Sequence, residues 1–197
     1  MNLPNKLTLM RFALTPVFMV VMLLPYNWSF FFAMLIFIAA SITDYFDGKI
    51  ARERNLVTDF GKFLDPIADK MLTTAAFLGF CVMKIGYGIV WVVFIVLLRE
   101  FVVTSVRLAA ASSGKVVAAN IWGKLKTVVQ MIAIIATLFF YFLANAILLP
   151  YFPELHVVLY PVIEIVCSVL LWISAVLTLV AGVTYIVDNK DFINPNK

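Results

Sequence analysis

Carboxylate side chains are concentrated in one short stretch of the sequence. Of the eleven acidic residues, six fall between residues 44 and 69. Asp44 and Asp47 lie where a helical pattern leaves one apolar segment, and Asp65 and Asp69 lie where it enters the next. At about 100° per residue, each pair shares one face of its helix. Oxygen ligands without His or Cys favour Mg²⁺ or Mn²⁺, and four negative charges suit two such ions.

Two glycines accompany these carboxylates on the same helical faces. Gly48 and Gly61 place no side chain beside the aspartates, so that a phosphate group can approach the backbone. Mg²⁺ is commonly held by carboxylates together with substrate phosphates, which predicts a substrate that carries a pyrophosphate. The alternative is a solvated acidic helix end that pairs with nearby Lys and Arg side chains. Scattered charges would satisfy that alternative, but it does not explain two carboxylate stripes on consecutive helices that form an antiparallel hairpin.

The composition is that of an integral membrane protein. Of the 197 residues, 64% are hydrophobic and 13% are charged, whereas soluble domains have about 45–50% apolar and about 25% charged residues. The mean hydropathy is +1.04. A soluble core of this chain length has too little interior for so much apolar surface, and disordered segments have the opposite composition. We therefore predict an all-α integral membrane protein.

Six apolar segments predict six transmembrane helices. They cover residues 11–25, 28–42, 67–83, 89–111, 127–149 and 162–187. A short interfacial helix start at Pro4 is expected before the first of them. No repeat or linker divides the chain, which predicts a single domain over residues 1–197.

The basic residues predict the orientation of these spans. With the N-terminus in the cytosol, every Lys and Arg except Lys84 falls on the cytosolic side. This asymmetry predicts that both termini, and the carboxylate stretch, lie on the cytosolic side of the cell membrane. The net charge of +4 favours contact with anionic lipid headgroups. It does not indicate nucleic-acid binding, because the positive charges are interleaved with carboxylates.

The aspartate stretch resembles the signature of the CDP-alcohol phosphotransferase family. It reads Asp44-x2-Asp47-Gly48-x2-Ala51-Arg52-x8-Gly61-x3-Asp65-x3-Asp69, with every fixed position filled at the family's spacing. The resemblance implies that an alcohol attacks the β-phosphorus of a CDP-linked lipid or alcohol at the membrane interface, and that CMP leaves. It also implies a homodimer.

The same resemblance implies roles for individual residues. Asp44, Asp47 and Asp65 match the metal ligands, and Asp69 matches the residue that also binds metal and removes the proton of the acceptor hydroxyl. The positions that match the CDP-lipid site are Asn5, Thr8, Gly48, Ala51, Arg52, Thr58 and Gly61.

The acceptor is predicted from a basic region between residues 99 and 127. The stretches Leu98–Phe101 and Gly123–Thr127 resemble the phosphatidylglycerophosphate synthase subgroup, which implies sn-glycerol 3-phosphate as acceptor and CDP-diacylglycerol as donor. A phosphate-bearing acceptor would be bound by basic side chains. The candidates are Arg99, Arg107, Lys115, Lys124 and Lys126.

Other interpretations stay open on the sequence alone. Arg99 and Glu100 could be a purely structural pair, and the lysines could be lipid-facing anchors. Within the family, the alternatives are a phosphatidylinositol-phosphate synthase and a phosphatidylserine synthase, although a serine acceptor would not require the extra basic residues. A divalent-cation transporter could also use intramembrane carboxylates, but it would place them near the midplane around a central axis.

Overall fold

The computed structural model describes residues 3–53, 59–112 and 121–189. All regular structure in those ranges is helical, which confirms the predicted all-α class. The elements are α1 (Leu3–Leu23), α2 (Ser29–Glu53), α3 (Asp59–Val82), α4 (Ile89–Ser112), α5 (Ile121–Phe142), a π-helical segment (Leu143–Leu148), α6 (Leu149–Tyr151) and α7 (Pro153–Asp188).

In the described ranges, four stretches of helix are long and apolar enough to cross a membrane, which indicates a multi-pass membrane protein. They are Asn5–Leu23, Ile89–Leu108, Ile121–Tyr151 and Pro153–Asp188. The apolar parts of α2 and α3, Ser29–Asp44 and Lys70–Val82, are shorter. Both of these helices continue through the polar residues of the aspartate signature.

Several helix ends differ from the predicted segments. Helix α1 is continuous from Leu3, without a separate interfacial start, and α7 begins at Pro153 rather than at residue 162. The predicted segments end where the first charged residue interrupts an apolar run. The helix itself continues past that residue, because near a bilayer its backbone N–H and C=O groups are best satisfied by helical hydrogen bonds. Proline suits the first position of α7, because its missing N–H would have no partner there.

Side-chain contacts show that the helices run alternately up and down. Towards one end, polar contacts join the first halves of α1 and α5 and the middle of α3 to the second half of α2 and the middle of α4. These contacts are Arg11 with Asp44, Lys70 with Glu100, and Lys126 with Glu100. We call this the signature end, because it carries the aspartates of α2 and α3.

Helix α1 packs against both α2 and α3, and α7 packs against α4 and α5. Helix α1 therefore contacts both helices of the predicted hairpin. The approach of α1 to α3 is close: a Cβ at Gly79 would lie 2.7 Å from Met22 Cε. The largest fully buried apolar side chains of this core include Phe18, Phe37, Phe77, Phe80, Leu138 and Leu171.

At the opposite end, the loop between α3 and α4 is fastened to α7. The Tyr87 N–H donates to Ser168 Oγ, and Trp172 Nε1 donates to the Tyr87 carbonyl, each at 2.9 Å. Gly86 and Gly88 have φ of 90° and 67°, a left-handed conformation that glycine adopts without strain. This fastening holds α3 and α4 in place from the far end of the bundle.

Candidate active site

The four aspartates of the signature lie on the two helices that the sequence predicted. Asp44 and Asp47 belong to α2, and Asp65 and Asp69 belong to α3. Of the four side chains only that of Asp44 is within the described part of the structure, where it is 40% exposed. The described side chains contain no group of three His, Cys, Asp or Glu residues that could hold a metal ion. The two-metal site therefore stays a prediction from the donor chemistry and the helix positions.

Asp44 is in direct contact with a buried arginine. The Arg11 guanidinium of α1 forms a salt bridge with the Asp44 carboxylate, and the Arg11 side chain is only 1% exposed. A guanidinium removed from water is stabilised only where carboxylates or other acceptors surround it. Arg11 therefore ties α1 to the first aspartate of the signature and restricts where that carboxylate can point.

Arg11 belongs to a polar face of α1 that the sequence analysis recognised only in part. Asn5, Thr8, Arg11 and Thr15 recur at intervals of three or four residues, and all four are buried. The Thr15 hydroxyl donates to the Arg11 carbonyl at 3.0 Å. Asn5 and Thr8 were predicted, whereas Arg11 was interpreted only as an orienting charge. Its helical spacing from Asn5 and Thr8 is the signal that could have revealed its role.

The other residues predicted at the CDP-lipid site are placed only by their position on a helix. Gly48, Ala51 and Arg52 lie in the last part of α2, and Gly61 lies near the start of α3. Their side-chain surroundings are outside the described structure. Thr58 lies outside the described residues altogether.

Two of the predicted acceptor residues meet at one carboxylate. Arg99 Nη1 donates to Glu100 Oε1 at 3.2 Å, and Lys126 Nζ donates to the same oxygen. Lys70 of α3 is also directed towards α4, where its Nζ donates to Thr104 Oγ1. Arg99 and Glu100 thus form the pair that the sequence analysis left open as a structural alternative, and this pair is part of a larger cluster that the sequence did not reveal.

The remaining acceptor candidates are not part of this cluster. The exposed Arg107 lies over the Tyr185 ring, with its Cζ 5.5 Å from the ring centroid, and its Nε donates to the Tyr185 hydroxyl at 3.4 Å. Lys124 is exposed on α5. Lys115 lies outside the described residues.

A cavity of about 500 Å³ opens between α1, α3 and α4 beside this cluster. Apolar side chains such as Met71, Leu78 and Phe101 form most of its wall. Its polar lining includes Lys70 and Glu100. The charged cluster therefore borders an apolar space within the membrane-spanning part of the bundle.

Arg99 depends on a close approach between α4 and α7. A Cβ at Gly182 would lie 2.8 Å from Arg99 Cγ, in the middle of that side chain. We expect Gly182→Ala to displace Arg99 and to lower the free energy of unfolding by about 1–3 kcal/mol. The measurement is thermal unfolding in detergent.

Gly79→Ala is the matched control for that variant. It creates a comparably short contact, but with the end of the unbranched Met22 side chain, which can turn aside more easily than the middle of Arg99, so we expect a smaller decrease. Equal melting temperatures of the two variants would contradict this account of Gly182.

Comparison with known proteins identifies the family of this chain. Residues 1–180 match the family model for CDP-alcohol phosphatidyltransferases. The chain is 40% identical over 200 aligned residues to the CDP-diacylglycerol–glycerol-3-phosphate 3-phosphatidyltransferase of Bacillus subtilis, which covers 95% of both chains. It is 42% identical over 138 residues to the protein of the same name in Escherichia coli K12, covering 68% of this chain and 74% of that one.

A third relative of the same name, from Wigglesworthia glossinidia brevipalpis, is 37% identical over 143 residues, or 70% of this chain and 77% of its own. The match to the family model covers most of the chain, including both helices that carry the aspartates. This chain belongs to the CDP-alcohol phosphatidyltransferase family.

Proposed function

We propose that the protein transfers the phosphatidyl group from CDP-diacylglycerol to sn-glycerol 3-phosphate, yielding phosphatidylglycerophosphate and CMP. The observation that carries the proposal is the 40% identity, over 95% of both chains, to the Bacillus subtilis protein named for this reaction. The complete aspartate signature at the ends of α2 and α3 supports it. The product places the reaction in phospholipid biosynthesis.

In this reaction the free primary hydroxyl of glycerol 3-phosphate attacks the β-phosphorus of the donor. A new P–O bond forms, the bond from that phosphorus to the bridging oxygen of the pyrophosphate breaks, and CMP leaves with the electron pair. The Asp69 carboxylate accepts the hydroxyl proton as general base. Phosphoryl transfer depends mainly on positioning and on neutralisation of charge, which suits a site built from fixed helix ends.

The donor set fits two divalent cations, Mg²⁺ or Mn²⁺. Asp44, Asp47, Asp65 and Asp69 would hold them through oxygen atoms alone, and the partial exposure of Asp44 leaves its carboxylate accessible. When bound, such ions would neutralise charge on the pyrophosphate and on the attacking and leaving oxygens. The residues proposed to hold the CDP moiety are Asn5, Thr8, Gly48, Ala51, Arg52, Thr58 and Gly61.

The proposed topology has six spans, both termini in the cytosol and the active site at the cytosolic interface of the cell membrane. The alternating helices support it, since α1 begins and α7 ends at the signature end. The concentration of Lys and Arg at the ends assigned to the cytosol gives the direction. We also propose a homodimer, by analogy with the family.

The residues proposed to bind the acceptor phosphate are Arg99, Arg107, Lys115, Lys124 and Lys126. Arg107 is exposed, whereas Arg99 and Lys126 are buried. Tyr185 of α7 contacts the Arg107 guanidinium and supports it. We expect Arg107→Ala to raise the KM for glycerol 3-phosphate by about tenfold or more, which corresponds to about 1.4 kcal/mol. The KM for CDP-diacylglycerol should change little.

Tyr185→Phe tests the support of Arg107. The ring remains beneath the guanidinium and only the hydroxyl contact is lost, so we expect a smaller rise in the acceptor KM than in Arg107→Ala. Equal weakening of both substrates in Arg107→Ala would indicate a disrupted helix end instead. An unchanged KM for both would make Arg107 an orienting charge.

An acceptor assay with purified protein tests the proposed function. CDP-diacylglycerol and Mg²⁺ or Mn²⁺ are supplied with glycerol 3-phosphate, inositol phosphate or serine in turn, and released CMP is measured. We expect CMP release that depends on both the metal and glycerol 3-phosphate. Release with serine or inositol phosphate alone would assign another acceptor. Cation flux into protein-containing vesicles without CMP release would indicate a transporter.

A further inference from the structure

One carboxylate connects three helices at the signature end. Glu100 of α4 accepts hydrogen bonds from Lys126 of α5 and from Arg99 of its own helix, both at Oε1. Its other oxygen, Oε2, lies 3.9 Å from Lys70 Nζ of α3. We call Lys70, Arg99, Glu100 and Lys126 the Glu100 cluster.

Most of the Glu100 cluster is buried. The side chains of Arg99, Lys126 and Glu100 are 9%, 8% and 17% exposed, whereas Lys70 is 33% exposed. Bringing cations this close together away from water is unfavourable unless a carboxylate lies between them. Glu100 contacts all three of these cations.

The four side chains of the Glu100 cluster together carry more positive than negative charge. Three cations surround one carboxylate, and Arg99 Nε is buried without a hydrogen-bond partner in the described part of the structure. Two of the three cations, Arg99 and Lys126, are among the residues proposed above to bind the acceptor phosphate. The third, Lys70, follows Asp69 directly in the sequence.

We propose that Glu100 is a positioning residue for the acceptor site. Its carboxylate fixes Arg99 and Lys126 side by side, offsets part of their mutual repulsion and links them through Lys70 to the helix that carries Asp69. Without its charge the same cations would repel one another and separate, and the acceptor phosphate would meet a less ordered set of donors. The proposal rests on the proposed function, because that function assigns the phosphate-bearing acceptor.

The test compares Glu100→Gln and Glu100→Asp with Glu164→Gln. Glu164 is a matched control, since it is a carboxylate within an apolar helix that contacts Tyr87 at the opposite end of the bundle. In Glu100→Gln we expect the KM for glycerol 3-phosphate to rise by about tenfold or more, with the KM for CDP-diacylglycerol within about twofold of wild type. Glu100→Asp should recover part of the loss, and Glu164→Gln should change neither constant.

A double variant tests whether Glu100 acts through Lys126. If it does, Lys126→Met and Glu100→Gln should each raise the acceptor KM, and the double variant should be little worse than the poorer single one. Fully additive effects would overturn this route of action. A fall in kcat with both KM values unchanged, or equal weakening of both substrates, would assign Glu100 a general structural role and overturn the proposal.

Direct binding of glycerol 3-phosphate, measured by calorimetry on the purified proteins, separates this proposal from the proposed function. Binding to wild type that weakens in Glu100→Gln would support Glu100 even if no CMP were released, in which case the proposed reaction would be wrong. Release of CMP by wild type with an unchanged acceptor KM in Glu100→Gln would leave the reaction intact and overturn the positioning role.

Discussion

Changing Asp69 to Asn is expected to lower the rate of CMP release by a factor of about 10²–10⁴, because an amide cannot accept the proton of the attacking hydroxyl. Asp65→Asn should cause a comparable loss through weakened binding of the divalent ions. Both variants should remain folded. Each removes one of the four negative charges proposed to share the site, so the melting temperature in the absence of divalent ions should stay the same or rise.

The measurements are initial rates of CMP release, Mn²⁺ binding followed by electron paramagnetic resonance, and thermal unfolding. Asp59→Asn is the matched control, since Asp59 lies at the start of the same helix but outside the signature spacing. It should keep near-normal activity. Near-normal turnover in Asp65→Asn, with Mn²⁺ still bound, would contradict the two-metal site.

The sequence was sufficient to predict the helices and the family, because both depend on local patterns. Long apolar runs predicted the cores of the six long helices in the part of the chain that the structure describes, although they misplaced several ends. Asn5 and Thr8 fell outside the first predicted segment, yet they lie on α1 with Arg11 because the helix begins at Leu3. A helix can continue through polar residues at helical spacing, although a prediction based on apolar runs ends before them.

The contacts between helices could not be predicted in the same way. Arg99 and Glu100 are neighbours in the chain, so their pairing was one of the expected possibilities. The contact of Glu100 with Lys126 depends on how α4 and α5 are placed relative to each other in the bundle, which residue spacing within one helix does not determine. The same holds for Arg107 and Tyr185, which come from α4 and α7. The placement of the signature aspartates on two consecutive helices was therefore predictable, whereas contacts to which several helices contribute one residue each were not.

Asp44→Asn should behave differently from the other aspartate variants. It should also reduce activity by orders of magnitude, but in addition it removes a carboxylate that contacts the buried Arg11 guanidinium. Breaking a fully buried ion pair costs about 3–5 kcal/mol. Asp44 is 40% exposed, so we expect a smaller loss, about 1–2 kcal/mol, measured as a lower melting temperature in detergent.

The double variant Arg11→Met with Asp44→Asn separates the two consequences. Removing the cation together with its carboxylate should restore much of the lost stability, since no guanidinium then remains without that partner. Activity should stay as low as in Asp44→Asn, because the aspartate ligand is still missing. Arg11→Met alone should reduce activity by about 10–100-fold, the usual effect of losing a group that orients a metal ligand.

Arg11→Lys is the conservative comparison, because it keeps the charge but not the planar guanidinium that can hold a carboxylate in one orientation. If orientation matters, Arg11→Lys should be nearly as stable as wild type and yet require a higher Mn²⁺ concentration for half-maximal activity. Full activity with an unchanged Mn²⁺ requirement in Arg11→Met would show that Arg11 holds α1 to α2 and does nothing for the aspartate. An unchanged melting temperature in Asp44→Asn would show that the ion pair contributes nothing to stability, leaving the orientation of Asp44 as the remaining role of Arg11.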